Sequence, residues 1–292
     1  MNQGKNSDFI DNQLVAGVVV LYNPDEKVVE NVFSYLDQIA YLYVVDNSES
    51  KNQCLQTLID NNKVEYIFNH SNLGVAAALN IAVDKAVTSG FPFLLTMDQD
   101  SYFEKGQLER LISYINGSES FGIISPFHKN KFFTKPPKSE GLEEVSDVMT
   151  SGNILNLSAV KKIGRFREDY FIDYVDIEYC LRLRKNGYKI FRVNSSFLTH
   201  NEANLSRIKI LGNTVYPPNH SALRWYYKVR NYLYLKKEYR QTFNNYFKIE
   251  NRNIFANMVK VILFEKDKIN KIGMMLKGYR DFRKNITGKL SN

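Results

Sequence analysis

Phe93-Leu94-Leu95-Thr96-Met97-Asp98-Gln99-Asp100 decides the fold. A run of mostly apolar residues passes directly into two carboxylates spaced two apart. The lack of polar alternation marks a strand covered on both faces, as in a parallel sheet. The acidic pair then falls at the carboxyl end of that strand, the edge where open α/β sheets bind ligands. Neighbouring carboxylates repel unless a cation lies between them, and hard oxygen donors suit Mg²⁺ or Mn²⁺. The pair therefore points to a divalent ion with a phosphate. A polar turn closing a strand is the competing reading of the same residues.

Upstream of this stretch, strand and helix patterns alternate. Val15 to Tyr22, Tyr41 to Val45 and Val64 to Phe68 read as strands closed by Asn23-Pro24, Asp46-Asn47-Ser48 and Asn69-His70-Ser71-Asn72. Asp25 to Ile39 and Leu73 to Val87 carry helical spacing. Such alternation implies right-handed crossover units, hence a doubly wound, mostly parallel α/β sheet. Downstream the pattern loosens. Gln107 to Ile115 reads as a helix, and Phe121 to Pro126, Ser146 to Leu157 and Phe191 to Leu198 as strands. Asp176 to Asn186 is a helix stopped at Gly187. His128 to Glu144, with Lys129, Lys131, Lys135 and Lys138, and Asn201 to Asn219 read as loops. From Ala222 onward, helical, aromatic and basic residues dominate.

The chain has 292 residues, enough for one large α/β domain and an appendage. Its net charge of +8 is concentrated: Arg224 to Asn292 holds 17 Lys and Arg against 5 Asp and Glu. A mildly acidic body with a basic tail points to a polyanionic surface, and the lack of a nucleic-acid module favours anionic lipid over nucleic acid. Cys54 and Cys180 have no metal-type spacing and suit a reducing compartment. The polar N-terminus MNQGKNSDFIDNQ lacks an apolar signal core, and no run approaches the roughly 18 apolar residues of a membrane span. A cytoplasmic protein is expected.

Each early strand ends in polar groups: Tyr22-Asn23, Asp46-Asn47, Asn72 with Gly74, then Asp98 and Asp100. In a parallel sheet these emerge at one edge and converge on one ligand. A tyrosine there suits stacking on a base, and an aspartate suits a base N–H. Neither G-x-G-x-x-G after the first strand nor G-x-x-x-x-G-K-[ST] occurs, so glycine-loop phosphate binding is disfavoured and a metal must supply the neutralisation.

Val18-Val19-Val20-Leu21-Tyr22-Asn23, Val44-Val45-Asp46-Asn47-Ser48, Asn72-Leu73-Gly74, Asp98-Gln99-Asp100, Ser151-Gly152-Asn153 and Phe171 to Arg182 together resemble the inverting family-2 glycosyltransferases of GT-A fold. Arg224-Trp225-Tyr226-Tyr227-Lys228-Val229-Arg230-Asn231 is similar to their rhamnosyltransferase branch. The resemblance covers roughly residues 14 to 235, with an echo near Gly278 to Lys289.

That resemblance implies a nucleotide-sugar donor held by Tyr22, Asn23, Asp46, Asn72, Gly74 and Asp98. It implies Mg²⁺ or Mn²⁺ on Asp100, Asp98 and His200, and an acceptor side at Ser151, Gly152 and Asn153. Asp176 matches the catalytic base, although relatives often carry two adjacent acids where this chain has Val175-Asp176, which leaves Asp173 and Glu178 as alternatives. A carboxylate in the first turn of a helix is favoured by the helix dipole, and desolvation must oppose the resulting loss of basicity. The implied catalytic domain is 1–221, with a nucleotide-sugar half about 14–100 and an acceptor half about 101–221, followed by a helical region over 222–292.

The implied reaction is transfer of L-rhamnose from dTDP-rhamnose to a saccharide acceptor, free or lipid-linked, in surface polysaccharide synthesis. UDP-galactofuranose or a UDP-hexose is the alternative donor. From a different class, a haloacid-dehalogenase-like phosphatase would use Asp98 and Asp100 as nucleophile and acid. In the tail, Ile254 to Phe264 reads as an apolar helix. Ile269 to Phe282 places Ile269, Ile272, Met275, Leu276 and Tyr279 near one face, with Lys271, Lys277, Arg280 and Arg283 largely elsewhere. Such helices suit peripheral attachment to the cytoplasmic face of the plasma membrane, or packing on the catalytic domain or a second subunit as a homodimer.

Overall fold

The computed structural model describes residues 14–115, 121–129, 137, 139–200, 208–210 and 213–290. The N-terminal MNQGKNSDFIDNQ and Lys131, Lys135 and Lys138 lie outside the described residues. The chain divides into two compact units. One comprises Met1–Leu73, Ala78–Arg165 and Arg182–Asn201, the other Gly74–Ala77, Phe166–Leu181 and Glu202–Asn292.

In the first unit, β1 (Val15–Leu21), β2 (Tyr41–Asp46), β3 (Val64–Phe68) and β4 (Phe93–Asp98) pair in parallel in the order β3-β2-β1-β4. Helices α1 (Lys27–Phe33), α2 (Gln56–Ile59) and α3 (Val75–Thr88) occupy the crossovers, as the alternation requires. In β4, Leu94, Leu95, Thr96 and Met97 are wholly buried, which is why the strand shows no polar alternation. Leu95 and Met97 join Val19, Leu21, Leu42 and Val44 in the core, each fully buried aliphatic side chain contributing roughly 1.5–3 kcal/mol.

Past β4 the sheet becomes mixed. It continues through β5 (Ser101–Phe103), β6 (Phe121–Lys129), β7 (Leu142–Glu144), β8 (Asn153–Asn156) and β9 (Lys189–His200), in the order β4-β8-β6-β9-β5 with β7 beside β9. Here β6–β9 is parallel and the other pairings are antiparallel. The connections carry α4 (Gln107–Ile112), α5 (Leu157–Ile163) and α6 (Val175–Lys185). The strand expected over Ser146 to Leu157 is confined to β8. Asn156 leaves the sheet and its side-chain oxygen accepts the Ser158 N–H at 3.0 Å, which caps α5, so Leu157 opens a helix. Strand β7 lies inside a segment expected to be loop; its three exposed residues pair along an edge and give no apolar signal.

In the second unit, part of the expected loop from Asn201 to Asn219 forms a hairpin of β10 (Ile208–Ile210) and β11 (Asn213–Val215). Three helices follow: α7 (Ala222–Tyr239), α8 (Asn244–Phe264) and α9 (Lys268–Arg283). The Ser221 side chain accepts from Arg224 N at 3.2 Å and starts α7. Helix α9 packs closely on α7 because Gly278 has no side chain; a Cβ there would lie 2.5 Å from the Tyr226 carbonyl oxygen. The buried face of α9 runs through Lys271, Met275, Gly278 and Asp281. The apolar face expected from spacing is therefore largely outward: Ile269 is 89% exposed, Leu276 51% and Tyr279 46%. Burial here follows the Lys271–Glu265 ion pair at 2.7 Å and the glycine contact rather than side-chain hydropathy.

Candidate active site

The register of the parallel strands sets Val20 beside Asp98 and Leu21 beside Asp46. The carboxyl ends of β1, β2 and β4 thus lie one strand spacing apart, about 4.8 Å. After Asp100 the chain turns directly into β5, whose pairing places Ser101 opposite His200 on β9. That pairing gathers Asp98, Asp100 and His200, each offering a ligand atom within 4.8 Å of the others. His200 Nδ1 stands 3.3 Å from Asp100 Oδ1 and 2.7 Å from Ser101 Oγ. Two carboxylate oxygens and an imidazole nitrogen form a donor set suited to Mn²⁺ or Mg²⁺, and the cluster remains partly open to solvent.

Around this cluster the nucleotide-side candidates fall into two groups. Tyr22 is exposed at the end of β1; its N–H donates to Gln99 Oε1 at 2.8 Å, and Gln99 Nε2 donates to its carbonyl at 3.3 Å. Asn23 adopts a left-handed conformation and its N–H donates to Ser48 Oγ at 2.8 Å. Asp46, by contrast, is wholly buried. Its oxygens accept from Ser48 N (2.9 Å), Ser48 Oγ (2.5 Å) and Tyr66 Oη (2.7 Å), which occupies three of about four acceptor sites. Asp46 thereby fixes the turn after β2. Asn72 is half-buried.

Ser151, Gly152 and Asn153 are buried beside β4. Ser151 Oγ accepts from Asp98 N at 3.1 Å, and the Gly152 N–H donates to Thr96 O at 2.7 Å. Gly152 has φ +79°, and a Cβ would strike Pro126 and Leu198 at 2.8 and 2.9 Å. These residues hold the backbone on which Asp98 sits. His128 Nε2 donates to Ser151 O at 2.7 Å. Burial lowers the pKa of His128 to about 4, with His200 and Arg192 adding repulsion, so the ring is neutral.

The second unit carries the candidate bases. Asp173 has a side chain only 4% exposed, bonded to Arg224 at 2.7 Å and Lys228 at 3.2 Å. Burial raises its pKa, but the two cations outweigh that and leave it below the ordinary carboxylate value. Glu178 is wholly buried and accepts from Tyr239 Oη at 2.8 Å. Asp176, in the first turn of α6, is partly exposed and its Oδ1 accepts from Ile177 N at 2.8 Å.

The loop entering α6 is strained: Phe171, Asp173 and Tyr174 have φ of 65°, 62° and 65°. Asn231 Nδ2 holds it by donating to the carbonyls of Tyr170, Ile172 and Asp173 at 2.8, 2.8 and 3.0 Å. Arg230 adds bonds to the Asp169 and Tyr170 carbonyls, both at 3.4 Å. Gly74, at φ +90°, lets the chain pass the same loop; a Cβ would lie 2.6 Å from the Phe171 oxygen, which accepts from Val75 N at 2.9 Å.

Ser101, Tyr66 and His128 leave no mark in the sequence, because the fold alone brings them to His200, Asp46 and the Ser151 carbonyl, and the role of Arg230 and Asn231 emerges only with their partners in space. The arginine–asparagine pair within an aromatic helix was the available signal, since such groups are buried only when bonded.

The fold and this site belong to a known class: the chain is a member of glycosyl transferase family 2, whose model matches residues 18–180. It is a glycosyltransferase. In particular, it is 30% identical over 247 residues to the dTDP-rhamnosyl transferase RfbF of Shigella flexneri, covering 78% of this chain and 82% of that protein. It is 24% identical over 207 residues to the low-salt glycan biosynthesis hexosyltransferase Agl10 of Haloferax volcanii, covering 63% and 66%.

Among solved structures, GalNAc-T7 with UDP, GalNAc and Mn²⁺ aligns with TM-score 0.60 and 13% identity over 93% of this chain, which spans 57% of that one. TarS 1–349 of S. aureus in complex with UDP-GlcNAc aligns with TM-score 0.52 and 17% identity over 92% of this chain and 72% of that one. These distant structures show the GT-A fold. Nothing in the family or fold supports the phosphatase alternative for Asp98 and Asp100. Among the described residues no helix is long and apolar enough to cross a membrane.

Proposed function

We propose that the protein transfers L-rhamnose from dTDP-rhamnose to a saccharide acceptor, with inversion at the anomeric carbon, during synthesis of a bacterial surface polysaccharide such as O-antigen, capsule or cell-wall glycan. The Asp98–Asp100–His200 cluster carries the reading, and the dTDP-rhamnosyl relative supports the sugar. The cluster would hold Mg²⁺ or Mn²⁺, which when bound stabilises the charge on the departing nucleoside diphosphate. Tyr22 offers an exposed ring to the base, while Asn23, Asp46 and Asn72 shape the same strand edge and Gly74 the turn into α3.

Asp176 is the base. Of the three candidate carboxylates, Asp173 is committed to two cations and Glu178 is sealed in the interior, whereas Asp176 is partly exposed. It accepts the proton of the acceptor hydroxyl. That oxygen attacks the anomeric carbon as the bond to the nucleoside diphosphate breaks on the opposite face, which inverts the configuration. Residues 1–221 carry this chemistry, with the acceptor half at about 101–221, and 222–292 serve attachment.

The outer face of α8 supports attachment to an anionic membrane surface, where a lipid-linked acceptor would reside. Phe255 is 69% exposed, Ile262 50% and Leu263 58%, with Lys248, Arg252 and Lys266 exposed nearby in sequence. Cosedimentation with anionic vesicles should be lost in Phe255→Glu/Ile262→Glu. Unchanged sedimentation would refute the attachment, and dissociation of a dimer by the same variant would assign the face to a second copy.

A panel of nucleotide-sugars, assayed with Mn²⁺, Mg²⁺ and EDTA, tests the function. Metal-dependent binding of dTDP-rhamnose is expected. Binding restricted to UDP-galactofuranose or a UDP-hexose would overturn the donor, and binding of none would overturn the reading.

A further inference from the structure

We propose that a cavity in the second unit is a subsite for one ring of a neutral acceptor saccharide. The proposal rests on the assignment of Asp176 as base. The cavity has a volume of about 100 Å³ and is lined by Tyr174, His220, Trp225, Lys228, Glu250 and Asn257, among others. Trp225 is 3% exposed, and its indole Nε1 is buried without a hydrogen-bond partner among the described residues.

The charges on the wall select the class of ligand. Lys228 is paired with Asp173, and the Glu250 carboxylate already accepts from Tyr174 Oη at 2.8 Å. An anion would face Glu250, and a cation would face Lys228. His220 is neutral at physiological pH: burial lowers its pKa to about 3, Lys228, Arg224 and Lys271 add to that, and Asp173 opposes them. A neutral imidazole offers one donor and one acceptor, and Asn257 offers both as well. Two aromatic surfaces beside mixed donors and acceptors match a polyol with an apolar face, which is the chemistry of a pyranose. Tyr174 lies two residues before Asp176, and Lys228 bonds Asp173 in the loop that enters α6, so a ring held here is tied to the segment that carries the base.

Trp225 is the one tryptophan of the chain, so its fluorescence reports on this cavity alone. The full-length protein, with Mn²⁺ and dTDP present, is titrated with methyl α-L-rhamnoside, methyl α-D-glucoside and methyl β-D-galactoside. At least one glycoside should give a saturable change in emission, lost in Asn257→Leu, whose folding is checked by its thermal midpoint. Asn257→Leu should also raise the glycoside KM for dTDP release from dTDP-rhamnose by about tenfold, the worth of one hydrogen bond, and leave the donor KM unchanged. No change with any glycoside, or a change that survives in Asn257→Leu, overturns the subsite and leaves the cavity to water. Calorimetric binding of dTDP in the same samples separates the two readings: if it persists, the subsite alone falls, and if it is absent, the proposed function falls as well.

Discussion

Replacing Asn231 by Ala should loosen the loop that enters α6 while leaving the acidic cluster of the first unit untouched. Asn231 is wholly buried, and its two amide hydrogens serve three carbonyls. Each bond lost between buried groups costs about 1–1.5 kcal/mol, so two hydrogens amount to roughly 2–3 kcal/mol. Those bonds oppose the strain of three residues at positive φ, each worth about 1–3 kcal/mol. The strain, about 3–9 kcal/mol in all, is at least as large as the clamp, so removal of the clamp permits the loop to relax. For a chain of this size the expected fall in Tm is about 5–10 °C. If Asp176 is the base, kcat should fall by at least about tenfold, because the carboxylate loses its fixed geometry. Differential scanning calorimetry and steady-state kinetics measure both, with Mn²⁺-dependent dTDP binding as the control. A Tm within about a degree of wild type, with kcat within about twofold, would refute the account.

Asp176→Asn should lower kcat by about 10²–10⁴-fold with little change in the Kd for dTDP-rhamnose; loss of donor binding in a folded variant would move this residue to the nucleotide side. Asp100→Asn and His200→Ala should each weaken Mn²⁺ affinity by at least about tenfold in calorimetry, and retained affinity would exclude the cluster as the metal site. The pKa of Asp173 is below its ordinary 3.8 in the folded state, so the unfolded chain binds its proton first as pH falls. Its contribution is therefore complete above about pH 4 and is lost as pH drops through the lower folded value. The Tm deficit of Asp173→Asn should be largest near neutrality and shrink below about pH 4; a deficit that grows with acidity would contradict the ion triad.

The first hundred residues were legible where β1, β2 and β4 are buried along most of their length and where the segments holding α1 and α3 show a helical period; β3 is half-buried throughout, and α2, four residues long, shows no period. Beyond Asp100 the signals were weaker for local reasons. Strands β5 and β7 are three residues each, too short for a period, and all three residues of β7 are exposed. At Leu157 an asparagine cap outweighed an apolar run that reads as strand. Asp98 and Asp100 could be read from their place at a strand end, and His200 came from family likeness rather than from any local pattern. Asp46 was legible as a strand-end acid, but not its burial, because Tyr66 reaches it from the neighbouring strand. In the tail, spacing placed the isoleucines of α9 on an apolar face suited to a membrane surface or to packing against protein. Lysine, glycine and aspartate occupy the interior instead, because an ion pair and a close backbone approach determine which side faces inward.

The bonds from Arg230 and Asn231 to a loop some sixty residues earlier make two distant stretches of chain a single inherited part. A family branch can exchange that part for another only as a pair. A loop transplanted into a foreign scaffold without its helix would lose the bonds that hold its left-handed residues, and a helix transplanted alone would bury an amide whose hydrogens have lost their carbonyls. Chimeras aimed at new acceptors should therefore move residues 169–178 and 224–231 together.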